Sequence, residues 1–123
     1  MNGKRPNVIK DKSFAFALRI VKLNKFLIEK KEFVLSKQLL RSGTAVGALV
    51  REAEHAESIA DFIHKMAIAQ KEANETEYWL ELLYQSDYLE VAQYNSIISD
   101  IQELNKILAS IIITSKEKKY GKR

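Results

Sequence analysis

The side chains with the most chemical potential cluster around one predicted turn. Glu52-x-x-His55 and Asp61-x-x-His64 contain the only two histidines of the chain. On a helix, a Glu-x-x-His spacing places a carboxylate and an imidazole one turn apart on one face, which is how di-iron bundles hold their metals. Those bundles use two such motifs and a further glutamate from each of the other two helices. Here a first helix offers only Glu29 and Glu32, at its far end, and there is no second Glu-x-x-His. The pattern predicts solvated histidines and no metal or other cofactor. A divalent-metal bundle using Glu52, His55, Asp61 and His64 stands as the alternative.

A second constellation joins Arg41 to Glu72 and Glu75, which face each other if residues 36–85 form a helical hairpin. Such a group can bind an anion or move a proton, but catalytic carboxylates need a pocket that perturbs them. The simpler reading is an ion-pair cluster that fixes the hairpin register. Trp79, with Tyr78 and Tyr84, offers rings on which bases could stack, yet their place within an amphipathic helix favours packing. Lys4, Arg5, Lys116, Lys118, Lys119, Lys122 and Arg123 are candidate phosphate contacts, electrostatic and without sequence preference. No phosphate loop, nucleophile elbow or dinucleotide fingerprint occurs, and the lack of cysteine excludes disulfides and thiolate chemistry. No enzyme is expected.

The elements that carry these residues are all helical. Leu39, Gly43, Val46, Val50 and Ala53 recur at spacings of 4, 3, 4 and 3, one helical stripe. Gly43 and Gly47 empty the waist of that helix, which spans about 36–57. Each glycine costs about 1 kcal/mol relative to alanine in a helix, so two of them imply a close neighbour. Ser58, three residues before Asp61, starts a third helix running to about Gln85, with the stripe Ile59, Phe62, Met66, Ala69, Ala73, Thr76, Leu80 and Leu83. Folded as a hairpin, these two helices set Gly43 opposite Ala73, so the close approach is expected there. Ser86-Asp87 breaks the chain, and a fourth helix from about Leu89 to Ser115 carries Tyr94, Ile97, Ile101, Leu104, Leu108 and Ile111.

The first helix, capped by Asp11 or Ser13 and ending near Lys30, has two apolar stripes. Phe16, Ile20, Leu23 and Leu27 form one; Phe14, Ala17, Leu18, Val21 and Ile28 form the other. One buried face needs only one stripe; the second is read as meeting a neighbouring subunit, with a widened core as the alternative. Strand-like alternation never persists. The prediction is all-α: an up-down antiparallel four-helix bundle over 13–115, between a basic arm (1–12) and a basic tail (116–123).

Charge is segregated along the chain. Residues 1–51 hold twelve Lys/Arg against three Asp/Glu, residues 52–115 three against twelve, and residues 116–123 five against one. This predicts either helices of opposite charge packed on each other or a surface for an anionic partner. No apolar run approaches the roughly 18 residues of a membrane span, and no clean signal segment opens the chain. A cytoplasmic protein without a membrane partner is expected.

Several linked motifs resemble one known family. Gln38-Leu39-Leu40-Arg41-Ser42-Gly43-Thr44-Ala45-Val46-Gly47-Ala48, Arg51-Glu52-Ala53, Ser58 with Asp61-Phe62, Lys71-Glu72-Ala73, Glu75-Thr76 and Tyr78-Trp79-Leu80 resemble the 23S rRNA intervening-sequence proteins of bacteria, over roughly residues 11–115. The resemblance implies a ring-shaped homopentamer of four-helix protomers. It also implies kinship with diversity-generating retroelement accessory proteins, basic pentamers that bind RNA and reverse transcriptase. It marks Arg41, Gly43, Gly47, Arg51, Glu52, Glu72, Glu75 and Trp79 as signature residues, structural or at an interface. Leu49 and Ala45 replace an asparagine and a serine common in that family, so any polar contact made there by relatives is absent.

The expectation for function is a non-enzymatic, homo-oligomeric helical module with RNA or a nucleic-acid-processing protein as partner, through basic helices one and two and the tails. A protein–protein scaffold with no nucleic-acid role is the alternative.

Overall fold

The four amphipathic segments form four helices in the computed structural model, which describes residues 7–121. They are α1 (Val8–Glu29), α2 (Leu35–Ala53), α3 (Ile59–Gln85) and α4 (Val91–Tyr120), with no strand among the described residues. Each helix packs on its sequence neighbours, and α1 meets α4 to close the bundle. Short turns make the neighbours antiparallel.

The helix ends show where local chemistry overrode the pattern. The Asn7 side chain accepts from the Lys10 backbone N–H, so α1 begins at Val8, before Asp11 or Ser13. Ser13 is instead buried, its hydroxyl donating to the Lys10 carbonyl. The expected arm therefore loses its last five residues to the helix, and Lys4 and Arg5 lie outside the described residues. The second helix stops at Ala53, four residues short of the expected Glu57. There the Ser58 hydroxyl accepts from the Asp61 N–H, while the Asp61 carboxylate accepts from the Glu57 N–H. Glu90 and Gln93 make a reciprocal capping box at the start of α4. That helix runs on to Tyr120, so Lys116, Lys118 and Lys119 stand on a helix rather than in a tail; Lys122 and Arg123 are outside the described residues.

Both turns at the far end close in the same way. Glu32 N–H reaches the Leu27 carbonyl and Lys31 N–H the Ile28 carbonyl; Tyr88 and Asp87 do likewise to Leu83 and Tyr84. This closure needs one left-handed residue, here Lys31 (φ 64°) and Asp87 (φ 70°). Glu32 is buried and accepts from the Ser36 N–H at 2.6 Å, so its carboxylate sits at the N-terminus of α2.

The core stripe of α2 is buried as expected, as are Met66 to Leu83 of α3 and Ile97 to Leu108 of α4. Ile59 is exposed and Phe62, Tyr94 and Ile111 are only half-buried, and the expected partner of Gly43 is not the one found. A Cβ on Gly43 would lie 2.8 Å from the Ile20 Cγ1, and one on Gly47 would lie 3.3 Å from the Ser13 carbonyl oxygen. The glycines of α2 therefore admit α1, not Ala73 of α3. Asn24, donating to the Ser36 carbonyl, continues the same register. The α2–α3 seam is held by small and hydroxyl side chains: buried Thr76 donates to the Glu72 carbonyl and lies 2.9 Å from the Ser42 hydroxyl.

At the α3–α4 seam, Tyr84 and Tyr94 stack with centroids 4.4 Å apart. Burial raises the Tyr94 hydroxyl pKa above the usual 10.0, aided by the charges of Glu81 and Glu77. A raised acid pKa means that the unfolded chain loses its proton first, so the stability is intact below pH 10.0 and falls as pH rises past it. The urea midpoint is expected to drop on going from about pH 9 to about pH 11, and to drop less in Tyr94→Phe; equal drops in both chains would contradict this.

Candidate functional site

The histidine pair does not assemble. His55 and His64 are exposed, and both carboxylates beside them are engaged elsewhere. Glu52 takes a 2.9 Å bond from the Lys65 ammonium, which holds the Lys65 pKa above its ordinary value. Asp61 caps the turn. Among the described residues no three His, Asp or Glu side chains converge into a metal-holding cluster.

Arg41, Glu72, Glu75 and Trp79 do come together. The Arg41 guanidinium spans from α2 to both carboxylates of α3, and Glu75 also accepts from the Trp79 indole N–H at 3.0 Å. The aromatic ring packs against the core while its N–H faces the ion pair. Half of the Arg41 side chain remains in solvent. Each exposed pair of this kind contributes about 0–1 kcal/mol. The cluster pins the α2–α3 register, as the spacing suggested, and leaves Tyr78 exposed at its edge.

Other interhelical ion pairs follow the segregation of charge. Lys12 of α1 meets Glu103 of α4, and Arg19 meets Asp100 and the Ser96 hydroxyl. Basic α1 and α2 thus lie against acidic α3 and α4. Arg19 carried no signal of its own in the sequence; only the opposite signs of the two helices pointed to such a pairing.

Lys22, Lys25, Lys37 and Arg51 have no carboxylate partner among the described residues. Lys37 and Arg51 stand on α2, and Lys22 and Lys25 on α1 beside its outward face. There Phe14 and Leu18 are 49% and 52% exposed, and Val21 and Ile28 are exposed too. A shallow groove of about 250 Å³ runs between α1 and α2, with Gly47 and Ala48 on one side and Phe14 and Ala17 on the other. Arg51 closes it, its guanidinium 5.2 Å from the Phe14 ring centroid. Gly47 and Arg51 were singled out together in the sequence as signature residues, without Phe14 and Ala17 beside them. Leu49 and Ala45, where the family pattern is polar, are half-buried, Leu49 against the core. Among the described residues no helix is long and apolar enough to cross a membrane.

The chain is similar to a solved structure described as a protein with unknown function from the S23 ribosomal protein family, from Bacteroides thetaiotaomicron VPI-5482. The two share 64% identity with a TM-score of 0.84, over 85% of this chain and 97% of that one. No curated protein is similar to it. Residues 5–110 match the family described as 23S rRNA-intervening sequence protein. On that match, which spans most of the chain, the chain belongs to the 23S rRNA-intervening sequence protein family.

Proposed function

We propose that this protein is a non-enzymatic assembly module, a homo-oligomer and by resemblance a pentamer, that associates with RNA or a ribonucleoprotein. The observation that carries the reading is the outward stripe of α1. Monomeric proteins seldom leave Phe, Leu, Val and Ile contiguous and exposed along one helix, and a neighbouring copy would remove them from water. The unpaired Lys22, Lys25, Lys37 and Arg51 then rim the assembly with positive charge, and Lys116 and Lys119 add to it at one end of each bundle. The carboxylates of Glu52 and Asp61 hold Lys65 and the turn before α3, a structural use that fits a binding module.

Phosphate contacts release counterions, so RNA affinity is expected to fall linearly with salt on logarithmic axes. Titrating a mixed single-stranded RNA at several salt concentrations tests this. Lys22→Ala with Lys25→Ala is expected to flatten the slope by about 0.7 for each lysine removed. Binding that ignores salt, or a slope unchanged in the double variant, would remove RNA from the reading and leave a protein-only scaffold.

A further inference from the structure

Of the seams around the bundle, the one between α1 and α4 is joined by no turn, and only part of it is fastened. Lys12 pairs with Glu103, and Arg19 reaches Asp100 and Ser96. From Arg19 to the end of α1, no hydrogen bond or ion pair among the described residues crosses to α4. There a groove of about 320 Å³ opens, lined by Arg19, Lys22, Leu23 and Phe26 of α1 and by Gln93 and Ile97 of α4. Its volume lies within the about 300–1,000 Å³ of small-ligand clefts. Ile97 is buried at its base, while Leu23 and Phe26 are only half-buried, although Leu23 belongs to the core stripe of α1.

The polar groups around it are donors. Among the described residues neither Lys22 nor Lys30 has a carboxylate partner. The Lys30 ammonium stands 5.0 Å from the centroid of the Phe26 ring, a contact that needs a ring face open to solvent. Gln93 gives its side-chain oxygen to the Glu90 N–H, which leaves its amide hydrogens to donate. Glu90, the acid beside Gln93, has its carboxylate turned into the N-terminus of its own helix. Arg19 is already matched by Asp100. The groove therefore combines an apolar base, an aromatic wall, two uncompensated cations and an amide donor. A flat ring with acceptors on its edge and a negative charge attached is complementary to that set, and a nucleotide has all three.

The geometry points to the α1–α4 groove as the place where one nucleotide of single-stranded RNA is held. Its base lies against Phe26 and Leu23 with an edge accepting from Gln93, and the flanking phosphates sit on Lys22 and Lys30. This rests on the RNA association proposed above and adds the site at which a base, rather than the backbone alone, is bound. The base takes the ring face from the Lys30 ammonium, which moves to a phosphate. Stacking a base on an aromatic ring is stronger than one exposed cation–ring contact, so the exchange favours the bound state. Every base has such a face, so no sequence preference is expected. At 3.6 residues per turn, Phe26 stands about 80–160° around α1 from Phe14, Leu18, Val21 and Ile28. A neighbouring copy seated on that stripe leaves the groove open.

Fluorescence anisotropy of the full chain with a short oligoadenylate, and with an abasic strand of the same length, tests this at several salt concentrations. The oligoadenylate is expected to bind about tenfold more tightly, with one salt slope for both strands because their phosphates are equal in number. Phe26→Leu, which keeps an apolar side chain, should abolish that preference and leave the abasic affinity unchanged, which also shows that the variant is folded. Phe26→Tyr, which keeps the ring, should retain the preference. Lys30→Ala should weaken both strands and lower both slopes by about 0.7. Equal affinities in the wild type, a preference that survives Phe26→Leu, or one lost in Phe26→Tyr would overturn this site and leave RNA association standing. Binding of neither strand would overturn both.

Discussion

Gly43→Leu is expected to prevent normal folding or to cost most of the stability of the protomer. Even the first atom of the new side chain would stand 2.8 Å from Ile20 Cγ1 and 3.0 Å from its Cγ2. Ile20 is fully buried and branched at Cβ, so it cannot swing aside. Gly43→Ala isolates the effect: alanine gains about 1 kcal/mol in helix propensity, and overpacking a tight core costs about 1–3 kcal/mol. A net loss of up to about 2 kcal/mol is expected, with leucine well beyond that. Trimming the opposing residue identifies the partner. Ile20→Val alone costs about 0.5–1.5 kcal/mol, but combined with Gly43→Ala it should recover part of the loss. Urea denaturation of the four chains gives the coupling directly. Strict additivity of the two changes would show that α1 is not what the glycine admits.

Leu18→Glu is expected to dissociate the proposed oligomer while leaving the protomer folded. Leu18 is already half in solvent within the single chain, and surface changes of this kind shift stability by about 0.5 kcal/mol or less. In an assembly the same position would hold an unpaired carboxylate taken out of water. Removing one partner of a buried charge pair costs about 3–5 kcal/mol, and an isolated charge at a subunit contact is of that order, which weakens association by a hundredfold or more. Light scattering should give one protomer at low concentration, with circular dichroism and thermal midpoint close to wild type. Undiminished mass would place the contact on another face.

These two variants also mark how much of the molecule was legible beforehand. The heptad stripes of α2, α3 and α4 gave the bundle, because burial of one face per helix leaves little freedom in a chain with few breakers. The Arg41, Glu72 and Glu75 group was readable once the hairpin register was known, since side chains one turn apart on α3 both reach α2. The partner of Gly43 was not readable. A small residue says that something comes close, but α2 has neighbours on both sides, and only the rotation of the helix decides which one fills the space. The α1 cap was missed because Asn7 lies ahead of the apolar pattern, and Glu32 because a buried carboxylate at a turn looks like any surface glutamate in sequence. Ile111 was expected in the core stripe where Ile112 is buried instead: a strict heptad drifts against 3.6 residues per turn, and at that level no α1 side chain remains to draw the stripe back.

The outer stripe of α1 was legible as an excess of apolar residues, and among the described residues of the protomer nothing covers it. What covers it is the central claim. The most direct test is the mass of the wild-type chain by light scattering after size exclusion at low concentration, with absorbance recorded at 260 and 280 nm on protein never treated with nuclease. A mass near five times 14.1 kDa is predicted, with a raised 260/280 ratio where RNA is carried along. A mass of 14.1 kDa would contradict the account and leave Phe14, Leu18, Val21 and Ile28 facing water without a reason.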